Sequence, residues 1–178
     1  MAPPSSFFVQ QTSRLSSAAE RGPVADLACG RGRHCIAAAE GGAHAIGVDR
    51  NPAFLAELHA AARRRGLRVD TVRADLESPA EIPLKSECCA VILVFRFLFR
   101  PLAPRIEEAL QPGGLLLFET FTVQQRQFAA GPRNPAFLLD EGELPKLFPG
   151  LEVLEFWEGV TDGSTPAAVA RLAARKPV

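Results

Sequence analysis

Short apolar runs alternate with segments of helical periodicity along most of the chain. Residues 24–28 are apolar apart from one aspartate and end in a glycine turn at residues 29–32, a pattern typical of a buried strand. The pattern also predicts strands at residues 44–48, 68–72, 89–94 and 115–119, helices at residues 33–40, 53–65 and 102–110, and a turn at residues 111–114. Because strands and helices alternate, we predict a parallel sheet covered by helices on both faces.

Two further strands are predicted near the C-terminus, at residues 151–157 and 167–175, with a Thr-Asp-Gly-Ser turn between them. About nine residues separate these strands, whereas a parallel crossover connection needs about a dozen or more. They should therefore be antiparallel neighbours. The predicted fold is α/β: an open, mostly parallel sheet of seven strands with helices on both faces and an antiparallel last strand.

The length of 178 residues favours a single domain, residues 1–178. Residues 1–22 are predicted to form a helical lead-in to the sheet. Residues 121–139 make a long connection for a compact domain, and long connections are commonly lids or disordered segments. We expect this segment to be a lid insertion.

The balance of acidic and basic residues excludes a strong net electrostatic field around the protein. Twenty Lys and Arg residues match twenty Asp and Glu residues, so nothing draws the whole chain towards nucleic acid or an acidic membrane. Residues 63–65 are three consecutive arginines, but they end a predicted helix, where cations suit the helix dipole. The longest apolar run has eight residues, and a membrane helix needs about 20. We expect neither a nucleic-acid partner nor a membrane partner; the oligomeric state stays open.

Four cysteines are too few and too irregularly spaced for a disulfide framework or a zinc site, so no metal site is expected. They lie in apolar runs, as buried free thiols do in a reducing compartment. The N-terminal stretch has no cationic region followed by an apolar one, which argues against a secretory signal. We expect a cytoplasmic protein.

Chemistry-bearing residues follow three of the predicted strands, at the sheet edge where open α/β sheets bind ligands. Gly30 and Gly32 allow a close approach of the backbone to a ligand. Asp49 lies 17 residues beyond Gly32, near the spacing at which an acid reaches a ribose diol. Asp75, after the third strand, is placed to accept a hydrogen bond from an exocyclic amine. Together they would hold a ribose and an adenine.

Two other function classes remain open at this point. A nicotinamide-dependent oxidoreductase would use the dinucleotide fingerprint, whose third glycine falls at Cys35, and the chain has no Tyr for a Tyr-Lys acid pair. Asp26 and the antiparallel C-terminal strands also fit that class less well. A non-catalytic subunit that keeps only the cofactor-binding fold is the second alternative.

Residues 24–34, with the sequence V-A-D-L-A-C-G-R-G-R-H, resemble the first motif, D-x-G-x-G-x-G, of the class I S-adenosylmethionine-dependent methyltransferases. Ala28 stands where that motif has its first glycine. The resemblance implies a Rossmann-like fold, methyltransferase activity and S-adenosyl-L-methionine as cofactor. It places Gly30 and Gly32 beside the methionine moiety, Asp49 on the ribose, and Asp75 with the Leu76 backbone at the adenine. The other residues it places near the cofactor are Ala28, Cys29, Arg33, His34, Arg50 and Phe95.

A narrower resemblance is to small bacterial methyltransferases of the tellurite-resistance and thiopurine type. It is carried by residues 32–34, 97–102, 113–121 and 134–139 together with Glu143-Leu144. It implies no particular substrate.

Methyl transfer is an in-line displacement that needs the nucleophile, the methyl carbon and the sulfur in one line. The acceptor should enter over the ends of the fourth and fifth strands. The chain lacks an Asp/Asn-Pro-Pro-Tyr type motif after the fourth strand, which disfavours amino-methylation of DNA bases or of protein glutamine. We therefore predict a small-molecule acceptor with a soft or anionic nucleophile, with Arg96, Arg100 and Glu119 as substrate-side candidates and no catalytic residue assigned.

Overall fold

The computed structural model describes residues 2–78, 83, 85–162 and 165–178. Within these residues, seven strands form one sheet: β1 (Val24–Leu27), β2 (Ala45–Asp49), β3 (Val69–Arg73), β4 (Cys89–Phe95), β5 (Leu110–Phe121), β6 (Glu152–Val160) and β7 (Ala168–Arg175). Their order across the sheet is β3-β2-β1-β4-β5-β7-β6. The first five strands are parallel, and β7 lies antiparallel between β5 and β6. The predicted seven-stranded, mostly parallel sheet with a reversed last strand is confirmed.

Helices cover both faces of this sheet. They are α1 (Ser6–Gln10), α2 (Thr12–Ala19), α3 (Arg33–Glu40), α4 (Pro52–Arg64) and α5 (Ala103–Ala109). On one face, Phe7, Leu15 and Ala38 of α1, α2 and α3 pack against Val91 and Leu93. On the other face, residues of α5 pack against the alternate positions of the same strands. Strand β4 is therefore buried along its whole length, as its unbroken apolar sequence predicts.

Strand β5 differs from the prediction at its start. The Gln-Pro-Gly-Gly segment at residues 111–114 was expected to be a turn, but it belongs to β5, where the pairing with β4 shifts register. The Gly113 N–H donates to the Lys176 carbonyl at 2.8 Å, and the Lys176 N–H donates to the Gly114 carbonyl at 2.9 Å. Pairing with the chain's C-terminal segment thus overrides the local turn preference and turns the segment into an irregular strand.

Residues 122–139, most of the segment expected to be a lid, form a folded excursion from the end of β5. Two short 3-10 turns, Val123–Gln127 and Pro135–Phe137, lie within it. Its ends are joined because the Val123 N–H donates to the Leu139 carbonyl and the Leu139 N–H donates to the Phe121 carbonyl, both at 2.9 Å. The Gln125 side chain anchors the excursion further by accepting from the Ala168 N–H at 2.7 Å. Its function as a lid stays a prediction.

The N-terminal segment, expected to be helical, contains α1 and α2 and packs over strands β4 and β5. Among the described residues, no helix is both long enough and apolar enough to cross a bilayer. All four cysteines are free thiols.

Candidate cofactor site and relatives

The turn after β1 is held in an unusual backbone conformation. Ala28, Gly30 and Gly32 all have positive φ angles, of 55°, 56° and 76°. This left-handed region suits glycine and disfavours alanine, whose β-carbon crowds the backbone there. The Cys29 N–H donates to the Val48 carbonyl at 3.0 Å, which ties the turn to β2. The alanine in place of the motif's first glycine is therefore accommodated with local strain.

The two glycines of the turn face different surroundings. A β-carbon at Gly32 would lie 2.3 Å from the Leu58 side chain, so this glycine is required for close packing of the turn against α4. A β-carbon at Gly30 would meet no described atom within 4 Å. Gly30 therefore borders open space, while Gly32 has a packing role in addition to the cofactor role predicted for it.

Asp49, the last residue of β2, is half-buried and holds two backbone amides. Its Oδ2 accepts from the Gly30 N–H and its Oδ1 accepts from the Asn51 N–H, each at 2.8 Å. Asn51 in turn caps α4 by accepting from the Ala53 N–H at 3.0 Å, with Pro52 as first helical residue. Each carboxylate oxygen of Asp49 retains acceptor capacity for a ligand.

A cleft of about 120 Å³ opens at the carboxyl ends of β1, β2 and β3. It is lined by Ala28, Asp49, Arg50, Ala74, Asp75, Leu76, Glu77 and Phe97. The structure thus brings together five of the residues predicted from the sequence, and sequence analysis missed Ala74, Glu77 and Phe97. Arg50 and Glu77 form an ion pair of 2.9 Å at the cleft, and the Asp75 carboxylate accepts from the Glu77 N–H at 3.1 Å.

His34 and Phe95 do not line this cleft, although both were placed near the cofactor by resemblance. Their rings lie 3.9 Å apart between centroids, and both side chains are buried. Burial, with the nearby charges of Arg33 and Arg96, lowers the pKa of His34 to about 3. The neutral ring accepts at Nε2 from the Ser5 N–H at 3.1 Å. His34 and Phe95 form an aromatic cluster beneath the N-terminal segment.

Cys29 and Asp26 lie in the interior beside the turn. The Cys29 side chain packs into the core between α3 and α4, so only its backbone can reach a ligand. Asp26 is fully buried and accepts from the Cys35 thiol at 3.4 Å. Burial raises the pKa of Asp26 to about 7. The motif's acid is therefore a core residue under the turn.

Arg100, predicted as a substrate-side candidate, has its guanidinium paired within the chain. Its guanidinium makes a two-fold contact with the Glu143 carboxylate, at 2.5 and 2.8 Å. It also donates to the carbonyls of Leu138 and Ala136, at 2.9 and 3.1 Å. The guanidinium is occupied in anchoring residues 136–143 to the segment after β4, which is a structural role.

Arg96 and Glu119, the other two substrate-side candidates, meet where β4 and β5 end. The Arg96 N–H donates to the Glu119 carbonyl at 2.7 Å, and its exposed guanidinium lies 4.8 Å from the Phe121 ring centre. Arg96 has a φ of 59°, which is strained for a residue with a side chain.

Glu119 is 2% exposed, and its carboxylate is paired with Arg171, whose Nε lies 2.8 Å away. The Ser5 hydroxyl donates to the same carboxylate, 3.0 Å from either oxygen. Sequence analysis missed Ser5 and Arg171, which lie 114 and 52 residues from Glu119 along the chain. No local pattern marks such distant partners.

Comparisons with known proteins agree with this architecture. A family model described as a methyltransferase domain matches residues 24–114, just over half of the chain. The ribosomal protein L11 methyltransferase of Marinobacter nauticus is 36% identical over 124 residues, 67% of this chain and 40% of that protein. The tRNA U34 carboxymethyltransferase of Cellvibrio japonicus is 28% identical over 112 residues, 58% of this chain and 34% of that protein. The chain thus spans well under half the length of these relatives.

Solved structures share the fold at low sequence identity. TehB from Haemophilus influenzae has a TM-score of 0.72 at 22% identity, over 92% of this chain and 62% of that chain. An S-adenosylmethionine-dependent methyltransferase from Mesorhizobium loti has a TM-score of 0.70 at 19% identity, over 93% and 97%. At such identities these likenesses show the fold alone. Since the family model covers half of the chain, the predicted family is confirmed: the chain belongs to the class I methyltransferases, whose cofactor is S-adenosyl-L-methionine.

Proposed function

We propose that this chain binds S-adenosylmethionine in the cleft at the ends of β1, β2 and β3 and transfers its methyl group to a small-molecule acceptor. The observation that carries the proposal is the convergence of Asp49 and Asp75 on a cleft that also holds the apolar side chains of Leu76 and Phe97. Two carboxylates beside an apolar slot match the hydroxyls, the amine and the flat ring of an adenosine. Family membership argues for this cofactor and against the nicotinamide alternative.

Each cleft residue has a proposed task. Asp49, held in place by the Gly30 and Asn51 amides, would accept hydrogen bonds from the two ribose hydroxyls. Asp75 would accept from the exocyclic amine of adenine, while the buried Leu76 contacts the ring. The Arg50–Glu77 ion pair would close the cleft beside the ribose. The methionine end would lie along Gly30, where open space allows close approach of a ligand.

The acceptor side carries positive charge. Arg33 and Arg96 are near enough to each other that the charge of Arg96 helps to lower the pKa of Arg33, after burial. Both also lower the pKa of His34, so that side chain adds no charge. The bound cofactor would supply a methyl group on a positively charged sulfur. Two guanidiniums beside it would attract and orient a small anionic or soft nucleophile, which needs no dedicated base.

The N-terminal segment favours a small acceptor over a macromolecular one. Residues 3–8 lie over the acceptor-side groups, with Phe7 and Phe8 buried. Two exposed arginines are paired within the chain: Arg65 contacts Glu40 at 2.7 Å and Arg31 contacts Glu57. The curated relatives bear names that specify a ribosomal protein and a tRNA, so both classes belong in the test.

A methyl-transfer assay tests this proposal. The protein is incubated with methyl-labelled S-adenosylmethionine and a panel of thiols, chalcogen oxyanions and carboxylates, with ribosomal protein L11 and total tRNA as separate arms. We expect label on at least one small molecule and loss of that transfer in the Asp49→Asn variant. Label on only the protein or the tRNA would contradict the small-molecule acceptor. Bound cofactor without transfer to any arm would instead favour the non-catalytic subunit.

A further inference from the structure

We propose that Ser5 stands in the acceptor's binding position, and that the acceptor displaces it by presenting its own hydroxyl or amine to Glu119 and His34. This inference rests on the proposed methyltransferase function and specifies which acceptors the site admits. It makes Glu119 and His34 recognition residues and residues 3–6 an internal cover.

Ser5 satisfies two buried acceptors at once. Its hydroxyl donates to the Glu119 carboxylate, with both oxygens 3.0 Å from Oγ. Its backbone N–H donates to His34 Nε2 at 3.1 Å. Two acceptor groups from α3 and β5 thus converge on one residue of the N-terminal segment. A small ligand with neighbouring O–H or N–H donors presents the same pattern.

The sheet and Arg171 fix the position of the Glu119 carboxylate. In the sheet register, Glu119 lies opposite Phe95 of β4 on one side and opposite Arg171 of β7 on the other. Arg171 donates to the carboxylate from Nε at 2.8 Å and is itself flanked by the rings of Phe7 and Trp157. The ion pair with Arg171 fixes the orientation of this buried carboxylate, whose oxygens accept hydrogen bonds.

His34 complements Glu119 as a second fixed acceptor. Its ring is clamped against Phe95, and burial keeps it neutral, so Nε2 carries a lone pair towards Ser5. Because Nε2 accepts from the Ser5 N–H, the proton of the neutral ring is assigned to Nδ1. A ligand with only acceptor atoms would find no partner at either group.

Two arginines contact oxygen atoms on either side of Ser5. Arg33 donates to the Pro3 carbonyl at 3.3 Å, and Arg171 donates to the Ser6 hydroxyl at 3.2 Å. Oxygen atoms therefore flank the donor position. The ligand class that matches all four contacts is a small hydroxy or amino compound with a carboxylate or carbonyl oxygen beside the donor.

Displacing the cover frays the start of α1, because Ser5 caps this helix: its Oγ accepts from the Phe7 N–H at 3.2 Å and its carbonyl accepts from the Val9 N–H at 3.1 Å. Ser5 is half-buried and Pro3 is exposed, whereas Phe7 and Phe8 are 1% and 4% exposed and hold α1 on the sheet. Removing Ser5 alone would leave His34 without its donor and would leave Glu119 with Arg171 as its donor, at a cost of about 1–3 kcal/mol for each lost hydrogen bond. Only a ligand that replaces both hydrogen bonds offsets that cost. Displacement is therefore selective.

Steady-state kinetics test the inference with the full chain. The panel contains small hydroxy and amino carboxylates, each beside the matched acid that lacks the hydroxyl or amine. In Ser5→Ala, we expect the acceptor KM to fall about threefold to tenfold with kcat nearly unchanged, because the competing hydrogen bond to Glu119 and the cap on the Phe7 N–H are both lost. Glu119→Gln should raise the acceptor KM about tenfold or more, while S-adenosylmethionine affinity stays unchanged in both variants.

Matched variants separate recognition from simple stability. Ser5→Thr keeps the hydroxyl and should restore the KM of the unaltered protein. Ser16→Ala makes the same chemical change at an exposed position of α2 and should change nothing. If the KM is unaffected by Ser5→Ala, or rises, the inference is wrong.

Two further outcomes would also overturn it. One is equal turnover of the matched acids without a donor. The other is cofactor binding without turnover of any donor-bearing compound, by either the unaltered protein or Ser5→Ala. Turnover of other small molecules in that case would leave the proposed function intact, whereas absence of cofactor binding would remove the proposed function itself.

Discussion

The Asp49 carboxylate accepts a hydrogen bond from the Gly30 amide, with Oδ2 2.8 Å from the amide nitrogen. One side chain at the end of β2 therefore fixes the glycine turn that follows β1. The same carboxylate borders the cleft. Asp49 therefore couples the shape of the turn to its proposed role in binding a ribose.

Replacing Asp49 with asparagine should weaken cofactor binding. The substitution keeps the shape of the side chain but removes its charge, and a hydrogen bond to a charged group is worth about 1.5–3 kcal/mol. We expect the Kd for S-adenosylmethionine to rise roughly 10- to 100-fold in equilibrium titrations. Asp70→Asn is the matched control, because Asp70 is exposed on β3 and contacts only the His44 ring among the described side chains. An unchanged Kd in Asp49→Asn would remove Asp49 from the site.

Replacing Ala28 with glycine should cost little stability. Alanine at a φ of 55° is strained by about 1 kcal/mol, while glycine gains a similar amount of freedom in the unfolded chain. We expect the free energy of unfolding in urea to change by less than about 1 kcal/mol. Ala25→Gly in buried β1 should lower it by more than about 1 kcal/mol, because that site has no such strain. Equal losses of unfolding free energy in Ala28→Gly and Ala25→Gly would show that the backbone at Ala28 is not strained.

The pH dependence of stability should reveal two buried groups with opposite signs. The pKa of Asp26 is raised from 3.8 to about 7, so the folded state keeps this proton between those two pH values while the unfolded state loses it. The contribution of Asp26 to stability therefore falls as the pH rises from 3.8 to about 7. His34, whose pKa is lowered from 6.5 to about 3, takes a proton only in the unfolded state below pH 6.5, so its contribution rises with pH. The two slopes oppose each other between about pH 4 and 6.5.

Single variants should expose each slope in urea unfolding over that pH window. Asp26→Asn leaves the His34 contribution, so stability should rise with pH, by up to about 1.4 kcal/mol per unit. His34→Gln leaves the Asp26 contribution, so stability should fall with pH. Identical slopes in the two variants and the unaltered protein would show that neither group titrates as described.

Replacing Arg100 with alanine should loosen residues 136–143 without affecting cofactor binding. The variant loses the Glu143 contact and two hydrogen bonds to carbonyls, which should cost about 1–3 kcal/mol. Amide exchange in this segment should accelerate. Arg65→Ala, which removes an exposed ion pair with Glu40, is the control and should cost less than about 1 kcal/mol. A weaker acceptor affinity without faster exchange would restore Arg100 as a substrate contact.

The order of strands and helices could be predicted because it depends on local patterns. Strand β4 is apolar throughout, Asn51-Pro52 begins α4, and the short link between the last two strands forces them antiparallel. Residues 111–114 were misjudged because their pairing partner is the C-terminal segment, far away in sequence. Turn chemistry was outweighed there by tertiary hydrogen bonding.

The cleft was predictable for a related reason. Asp49 and Asp75 each follow a strand, and parallel strands deliver their ends to one edge. Glu119 was predicted on the acceptor side, but its partners Ser5 and Arg171 were not predictable, because they reach it only through the sheet register and the packing of α1. Arg100 shows the limit of residue type alone, since a guanidinium serves an ion pair and a substrate anion equally well.

Calorimetric titration of the folded, unaltered chain with S-adenosylhomocysteine tests the central claim most directly. The account predicts saturable heat for one site per chain, no comparable heat with NAD, and a large loss of affinity in Asp49→Asn. Absence of heat with S-adenosylhomocysteine, or equal binding of NAD, would contradict a cleft built for an adenosyl sulfur compound.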